Sequence, residues 1–353
     1  MSCQNKGTFV SQQAINILYL GNSQNGSAPG DRRRFLAFGQ MMSNIKIYFR
    51  EESGVSFDIL VYAIGGDLVK ALALSGSIPK LVVDYSNHYL VEKSWFKSLV
   101  RNQFFTLTKG HDCSYLTYRK SLKEVIRRAD LVIYPSVSHE MELSFLNNSM
   151  ERLTDYFGRE TFSSEVQSVF KRELFWEGQA VNLRTLEALA PIVNSKKNLN
   201  LNVVSDPYFG TRFFRKSSAN YCFQMFSNVV FDSWSAGNVG RAASKSALGV
   251  IPLDLSDDFI ASKPENKLVY MWLLGLPALC SPSASYRMLA QMTSIDFICS
   301  SLNDWDVRID AYLSNVRYRN ETAAFLNDYA KKNYDDNAQY LKWKNAFEKH
   351  NIF

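Results

Sequence analysis

The sequence predicts an α/β protein built from two Rossmann-like domains in tandem. With 353 residues, the chain is longer than one hydrophobic core normally serves. Short apolar runs without helical periodicity alternate with helical segments, which is typical of βα units, and this pattern stops and restarts once. We therefore predict a first domain at 1–150, a linker at 151–172, a second domain at 173–320 and a helical tail at 321–353.

Buried strands are predicted where apolar runs are continuous, because strands of a parallel sheet are covered on both faces. In the first half they are Ile15–Gly21, Phe57–Ile64, Leu81–Asp84 and Leu131–Tyr134, with a helix starting near Ser138. In the second half they are Glu173–Gly178, Leu199–Ser205, Val229–Ser233, Leu248–Leu253, Ala278–Ser281 and Phe297–Cys299. A helix is expected from Asn182 to Val193, and the helical tail should break near Asn333–Asp336.

The most informative stretch lies between residues 247 and 281. Ser262 and Glu265 have the spacing of a capping box, so a helix should begin there. It should stop at Gly275, after which a second strand follows. In this βαβ unit the helix N-terminus, with Lys263 and Lys267 beside it, lies at the carboxyl end of the preceding strand. That arrangement suits a phosphate group.

The same stretch carries a family resemblance. Residues 263–281, KPENKLVYMWLLGLPALCS, resemble the donor-binding segment of nucleotide-sugar glycosyltransferases of the GT-B fold, and 129–136, ADLVIYPS, is similar to the last strand of their N-terminal domain. The resemblance implies two Rossmann-like domains facing across a cleft and a C-terminal helix that crosses back to the first domain. It also implies glycosyl transfer without a metal or other cofactor. One departure is Val269, at the position where retaining members carry a ribose-binding Glu.

Candidate donor-binding residues follow from this resemblance and from the strand ends. The leaving diphosphate needs cationic groups or a helix N-terminus. Its candidate ligands are Lys263, Asn266, Lys267, Gly178, Lys245, Ser281 and Ser283, with Gln179 also considered. Candidates for contact with the nucleoside or the transferred sugar are Trp234, Ile251, Pro252, Asp257 and Tyr286, with Asp254 and Asp258 as further acidic choices in the same loop.

A base that takes the acceptor proton would be needed if the transfer inverts the anomeric centre. Asp31, Asp84 and His88 are the candidates, because each lies at or just beyond a predicted strand end of the first domain. The glycines at 21, 26 and 30 do not form a dinucleotide-binding or P-loop motif. No metal-binding motif is present, so no metal is expected.

A basic segment is the other prominent feature. Residues 93–128 hold nine basic and two acidic side chains interleaved with aromatic residues, in a chain whose net charge is +6. Arg101, Lys109, Arg119 and Lys120 are candidates for contact with a lipid-linked acceptor or an anionic membrane surface. A solvated helix face is the equal alternative. No nucleic-acid-binding motif accompanies the charge.

These observations favour a glycosyltransferase that extends a polysaccharide or lipid-linked glycan, such as lipopolysaccharide or capsule, from a nucleotide sugar. The sequence predicts a cytoplasmic protein, because it has neither an export signal nor a spanning segment, and peripheral docking on the inner membrane is a further expectation. Its five cysteines show no metal or disulfide spacing. A GT-B-fold sugar-nucleotide epimerase and a non-catalytic nucleotide- or glycan-binding subunit remain as alternatives. A CMP-linked donor also remains open.

Overall fold

The computed structural model describes residues 14–91, 118–157, 172–211 and 214–353. It divides into two compact units. Unit 1 comprises the chain up to Tyr134, Leu143–Glu151 and Lys342–Phe353, and unit 2 comprises Pro135–Glu142 and Arg152–Leu341. Most of the predicted linker, 158–171, lies outside the described residues.

Unit 1 is organised on a six-stranded sheet with the order β2-β1-β3-β4-β5-β6. The strands are β1 (Ile15–Leu20), β2 (Ile45–Tyr48), β3 (Ile59–Ala63), β4 (Lys80–Asp84), β5 (Leu131–Tyr134) and β6 (Met150–Arg152). Pairing is parallel between β1 and β2, β1 and β3, β3 and β4, and β4 and β5. The four predicted strands are confirmed. The sequence missed β2 and β6, which are short edge strands with partly exposed side chains and no continuous apolar run.

The helices of unit 1 surround this sheet. They are α1 (Pro29–Arg32), α2 (Phe35–Gln40), α3 (Leu68–Leu74) and α4 (Tyr118–Arg128), with a 3-10 turn at Tyr89–Val91. Helix α5 (Val137–Ser144) follows β5, as predicted near Ser138. The core contains side chains from β1, β3, β4 and β5 together with α4, on which Leu122, Val125 and Ile126 are fully buried.

Unit 2 repeats the architecture on a five-stranded parallel sheet with the order β11-β8-β7-β12-β13. These strands are β7 (Glu173–Gly178), β8 (Asn200–Ser205), β11 (Val229–Ser233), β12 (Leu248–Ile251) and β13 (Ala278–Cys280). All five were predicted. The sixth predicted strand is reduced to one parallel bridge between Ile298 and Cys280. An unpredicted antiparallel hairpin, β9 (Tyr208–Thr211) and β10 (Phe214–Ser217), follows β8.

Helices of unit 2 connect the strands and cover the sheet. A 3-10 helix at Ala180–Leu189 leads into α6 (Ala190–Ser195) where one α-helix was expected, and Pro191 lies in the first turn of α6. The others are α7 (Ser218–Met225), α8 (Ala236–Lys245), α9 (Asp258–Ala261), α10 (Asn266–Leu273), α11 (Ala284–Thr293), α12 (Leu302–Ser314) and α13 (Val316–Tyr334). Trp176 and Trp272 are fully buried in the core between them.

The predicted capping box at Ser262 and Glu265 is wrong. Asp257 caps α9 instead, and its carboxylate accepts the backbone N–H groups of Phe259 and Ile260. The Ser262 hydroxyl lies at the other end of that helix and donates to the carbonyl oxygen of Phe259. Helix α10 begins only at Asn266. Its predicted end is confirmed, because Gly275 adopts a left-handed φ of 77° just beyond it.

The C-terminal segment returns to unit 1. Helix α14 (Asp336–Lys349) follows a break at Asp335, as predicted, and residues 342–353 belong to unit 1. Phe347 packs on Phe35 and Phe38 with ring centroids 6.0 and 5.2 Å apart, and Trp343 stacks on Phe38 at 5.7 Å. The predicted crossing of the C-terminal helix to the first domain is therefore confirmed.

Two further sequence-based expectations can be compared with the described residues. Cys222, Cys280 and Cys299 are buried free thiols, as expected, whereas Cys3 and Cys113 lie outside the described residues. Among the helices that the structure describes, none combines the length and apolar character needed to cross a membrane.

Replacing Phe347 by Ala should destabilise unit 1, because the side chain is fully buried in this aromatic cluster. Loss of a buried Phe costs about 3–5 kcal/mol of unfolding free energy. The control is Phe325→Ala on α13, whose side chain is 48% exposed and should change stability by less than about 0.5 kcal/mol. Urea denaturation of both variants checks this. If Phe347→Ala lowered the unfolding free energy as little as Phe325→Ala, the C-terminal segment would not stabilise unit 1.

Candidate functional site

The strand order of unit 2 defines one point where a ligand site is expected. From β7 the chain moves outward to β8 and β11 on one side, and then to β12 and β13 on the other. The switch point therefore lies between β7 and β12, at the edge of the sheet where the parallel strands end, here called the carboxyl edge. Gly178 ends β7, Ile251 ends β12, and the N-terminus of α10 lies at the same edge, since α10 leads back to the start of β13.

Lys267, in the first turn of α10, is packed into this point. Its ammonium lies 4.2 Å from the ring centroid of Trp176. A Cβ on Gly178 would come within 2.7 Å of the same Nζ atom, so a larger residue at position 178 would require the lysine side chain to shift. The pKa of Lys267 is lowered from 10.5 to about 8, mainly by burial; the charge of Glu177 opposes this shift and the charge of Lys263 adds to it. The positive charge of the Lys267 ammonium is therefore only partly compensated by its surroundings.

Lys263 is the second cation at this edge. Its Nζ atom donates to Oδ1 of Asn182 at 3.1 Å. Burial lowers the pKa of Lys263 as well, against the opposing charge of Asp257. Between these lysines in sequence, the side-chain oxygen of Asn266 is buried and has no hydrogen-bond partner among the described residues. We call Gly178, Trp176, Lys263, Lys267 and the N-terminus of α10 the lysine site.

Polar side chains from the neighbouring strands surround the lysine site. Trp234, which follows β11 and is 43% exposed, donates through Nε1 to Oε1 of Glu177 at 2.9 Å. Asp206, just beyond β8, accepts the backbone N–H of Ala180 at 3.1 Å. The Ser205 hydroxyl donates to the carbonyl oxygen of Gly178 at 2.7 Å. These contacts fix the loop after β7 and leave the face of Trp234 available.

The predicted contacts after β12 and β13 are mainly structural. The Ser281 hydroxyl accepts the backbone N–H of Leu253 at 2.9 Å and joins the two strand ends. Ser283 caps α11, and its hydroxyl accepts the backbone N–H of Tyr286. Tyr286 is 2% exposed and belongs to the core, which does not favour its predicted contact with the donor sugar. Ile251 and Pro252 are buried at the strand end and can offer only backbone and apolar contacts.

Lys245 is the clearest misplacement among the predicted phosphate ligands. It is the last residue of α8, which runs back from the carboxyl end of β11 to the start of β12. Its exposed ammonium therefore lies at the opposite edge of the sheet from the lysine site. Gln179, exposed after β7, and Asp257, the cap of α9, remain at the carboxyl edge.

Val269 is fully buried in the core of unit 2. A residue that held a ribose could not occupy that face of α10. Tyr270 is partly exposed and lies three residues after Lys267, and therefore on the same side of the helix. The preceding Glu265 is also fully buried and pairs with Arg152 at 3.0 Å; burial raises the pKa of its carboxyl group. Tyr270, unlike Val269, therefore has side-chain surface at the outside of α10.

Asp31, a predicted base, has a structural role in unit 1. It is 1% exposed and accepts five hydrogen bonds, from the Tyr19 hydroxyl and from the backbone and side-chain donors of Asn22 and Ser23. Both carboxylate oxygens are used to hold the loop after β1. Burial, with the charges of Asp84 and Asp31, raises the pKa of the Tyr19 phenol well above its usual range. These contacts give Asp31 a structural role, and its assignment as the base that takes an acceptor proton stays a prediction.

Asp84 is likewise engaged. Its Oδ1 atom accepts the Nε–H of Arg34 at 2.7 Å, and both side chains are 2% exposed. The Arg34 guanidinium also lies 5.6 Å from the Trp343 ring. This buried pair argues against a proton-transfer role for Asp84. His88, 6% exposed and edge-on to Tyr85, remains as the third predicted base.

Of the predicted acceptor or membrane contacts, Arg101 and Lys109 lie outside the described residues. Arg119 is half-buried and Lys120 exposed at the start of α4. No group of three His, Cys, Asp or Glu side chains that could bind a metal occurs in the part of the chain that the structure describes. The expectation that no metal is required stays a prediction.

Sequence reasoning missed Asn182, Asp206 and Glu177 as members of this edge. Each lies within a few residues of a strand that had been predicted correctly. These residues could have been found from the sequence, because polar residues that follow adjacent parallel strands meet at one edge of the sheet.

Comparison with solved structures identifies the class of fold. No protein-family model matches the chain, and no curated protein does so by sequence. The HepE protein of Anabaena is similar in structure, with a TM-score of 0.66 and 13% identity over 95% of this chain and 100% of HepE. TarM of S. aureus has a TM-score of 0.56 and 9% identity over 82% of this chain. The chain spans about half of TarM, 55% in one structure.

A third solved structure is the O-GlcNAc transferase of Thermobaculum terrenum, with a TM-score of 0.58 and 9% identity over 96% of this chain and 68% of that one. All three identities are low, so the likeness establishes architecture alone. The protein has the GT-B fold of nucleotide-sugar glycosyltransferases, as the resemblance of residues 263–281 predicted.

The displaced pKa of Lys267 should make stability depend on pH in a defined direction. Between about pH 8 and 10.5 the unfolded chain binds this proton more strongly than the folded protein does. The cost of burying the charged ammonium is therefore fully present below pH 8 and is relieved as the pH rises. Relative to the parent, Lys267→Met should be most stabilised near pH 7, and the difference should decline towards pH 10.

Urea denaturation across this pH range measures the difference. Lys245→Met is the matched control, since Lys245 is exposed, and its difference from the parent should stay constant. A pH-independent difference for Lys267→Met would show that Lys267 is not desolvated.

Proposed function

We propose that the protein is a glycosyltransferase that moves a sugar from a nucleotide-sugar donor to a hydroxyl of a growing polysaccharide or lipid-linked glycan. The observation that carries the proposal is the lysine site. Two lysines with lowered pKa meet at the N-terminus of α10, at the switch point of a parallel sheet.

The electrostatics of this site favour a phosphate ligand. An ammonium whose pKa is lowered by burial is stabilised when an anion arrives, because the anion supplies the missing compensation. The backbone N–H groups and the dipole of α10 add to this attraction. In glycosyl transfer the bond from the anomeric carbon to the diphosphate breaks, so negative charge grows on the leaving oxygen. Lys267 and Lys263 are positioned to stabilise that charge.

The other half of the donor would lie against the surrounding loops. Trp234 offers a partly exposed aromatic face beyond β11, and Gly178 and Ile251 offer backbone groups at the ends of β7 and β12. HepE has been solved in complex with UDP and with UDP-glucose, and TarM with UDP. These relatives in fold make a uridine diphosphate sugar the first donor to test.

A non-catalytic nucleotide-binding subunit is the second candidate. It is favoured by the engagement of both Asp31 and Asp84 in structural contacts, which leaves His88 as the remaining predicted base in unit 1. Release of free sugar or transfer to an acceptor from a bound nucleotide sugar would exclude this candidate. A lipid-linked acceptor and docking on the inner membrane remain proposals based on the basic segment.

Nucleotide binding should depend on Lys267. A thermal-shift screen with UDP, GDP, CMP, ADP, dTDP and NAD should show stabilisation by a nucleoside diphosphate or by CMP, about 2.7 kcal/mol at 100 times its Kd. Lys267→Met should weaken that binding about 10- to 100-fold, since a hydrogen bond to a charged group contributes about 1.5–3 kcal/mol. Affinity should also fall as the pH rises past 8, where Lys267 loses its proton.

Lys245→Met serves as the control and should bind as the parent does, because Lys245 lies at the other edge of the sheet. Stabilisation by NAD alone would contradict the proposal. So would nucleotide binding that is unchanged in Lys267→Met.

A further inference from the structure

Glu177 is a partly buried acidic residue at the carboxyl edge of the unit 2 sheet, and the proposed function gives it no role. It is the penultimate residue of β7, between Trp176 and Gly178. Both of these neighbours approach the Lys267 ammonium. The side chain of Glu177 is therefore fixed by its strand at the point where the lysine site is assembled.

One contact of Glu177 holds an aromatic ring. Nε1 of Trp234 donates to Oε1 of Glu177 at 2.9 Å, and the backbone N–H of Trp234 donates to the carbonyl oxygen of Ser205 at 2.8 Å. Because β8 lies between β11 and β7 in the sheet, the indole extends across the end of β8 to reach Glu177. The ring stays 43% exposed. A ring that is already fixed binds a flat ligand with a smaller loss of side-chain entropy.

The same carboxylate acts on the buried ammonium. The charge of Glu177 opposes the lowering of the Lys267 pKa, whereas the charge of Lys263 adds to it. Two other acids at this edge are engaged elsewhere. Asp257 caps α9 and acts on Lys263, and Asp206 accepts a backbone N–H group of the loop after β7. Among the described residues, Glu177 is thus the acid that partly balances Lys267.

Glu177 does this without occupying the ammonium. It acts on Lys267 through its charge, and no hydrogen bond between the two side chains contributes to the pKa of the lysine. The carboxylate instead accepts the Trp234 N–H. The ammonium therefore keeps its hydrogen-bond donors for an anionic ligand while a nearby negative charge helps it to stay protonated.

We propose that Glu177 is a positioning residue for the donor, which orients the Trp234 indole for a nucleobase and supports the positive charge of Lys267 for the diphosphate. This role rests on the proposed function. One side chain then couples the two halves of the donor site. The ligand that profits from both effects is a nucleoside diphosphate, in preference to inorganic pyrophosphate.

Two substitutions separate the two effects of Glu177. Glu177→Gln keeps an oxygen that accepts the Trp234 N–H but removes the negative charge, whereas Glu177→Ala removes both. Isothermal titration calorimetry on the full chain measures the Kd of UDP and of inorganic pyrophosphate for each variant and for the parent. The ratio of the two Kd values reports the contribution of the nucleoside. Comparison with the parent at each pH cancels the titration of the ligand itself.

The orientation of Trp234 is tested by the ratio. Glu177→Ala should lower the preference for UDP over pyrophosphate about 5- to 10-fold, because stacking of a base on an aromatic ring contributes a factor of this size or more. Glu177→Gln should keep the preference of the parent. In Trp234→Phe, which has a ring but no N–H group, the further change Glu177→Ala should no longer alter the preference.

The support of the Lys267 charge is tested by the pH profile. In the parent, the affinity for pyrophosphate should decline as the pH rises past about 8. In Glu177→Gln the decline should begin at a lower pH, because Lys267 loses its proton more easily without the carboxylate. Below the decline, Glu177→Gln should bind pyrophosphate at least as tightly as the parent, since a repulsive charge has been removed. A loss of fold would weaken binding at every pH.

The control is Glu321→Gln, which removes an exposed carboxylate of the same unit and should match the parent in both measurements. If Glu177→Ala does not fold, Trp234→Phe loses the same hydrogen bond and should lower the UDP preference in its place. An unchanged preference in the variant that lacks this bond, or a pH profile of Glu177→Gln that matches the parent, would overturn the inference. Failure of the parent to bind either ligand would instead overturn the proposed function.

Discussion

The approach of the Lys267 ammonium to Gly178 and Trp176 is the contact on which the unit 2 site depends. The strand order brings the ends of β7 and β12 together, and α10 starts at the same edge. The absence of a side chain at residue 178 leaves room for the lysine in this position. Packing against an indole keeps the ammonium away from water, and its charge is stabilised less than it would be in solvent. The protein thereby carries a local energetic cost that an anionic ligand would relieve.

Unit 1 has a similar sheet but uses charge in the opposite way. Its buried ionic groups, Asp31 and the Arg34–Asp84 pair, are engaged by internal partners. Breaking a buried pair costs several kcal/mol because one charge is left without compensation. Such groups are suited to holding loops rather than to exchanging protons.

The sequence predicted the central strands of both sheets because buried parallel strands are continuous apolar runs, as in Leu131–Tyr134 and Val229–Ser233. It did not predict β2, which lies at a sheet edge with partly exposed residues and no continuous apolar run. The capping prediction failed because Asp257 forms a short helix that uses the residues before Pro264. Lys245 was misplaced because charge alone does not tell at which end of a connecting helix a residue lies.

At position 269, the family resemblance of the sequence and the geometry of the structure lead to different conclusions. The motif match in 263–281 correctly predicted the fold, the helix and its glycine stop, all of which depend on backbone geometry. Assigning a role to a single helix position requires knowing which face is buried, and a one-residue shift rotates a side chain by about 100° around an α-helix. Val269 is fully buried, whereas Tyr270, one residue later, packs against the core and is also partly exposed. The burial of position 269 is sufficient to explain an apolar residue there.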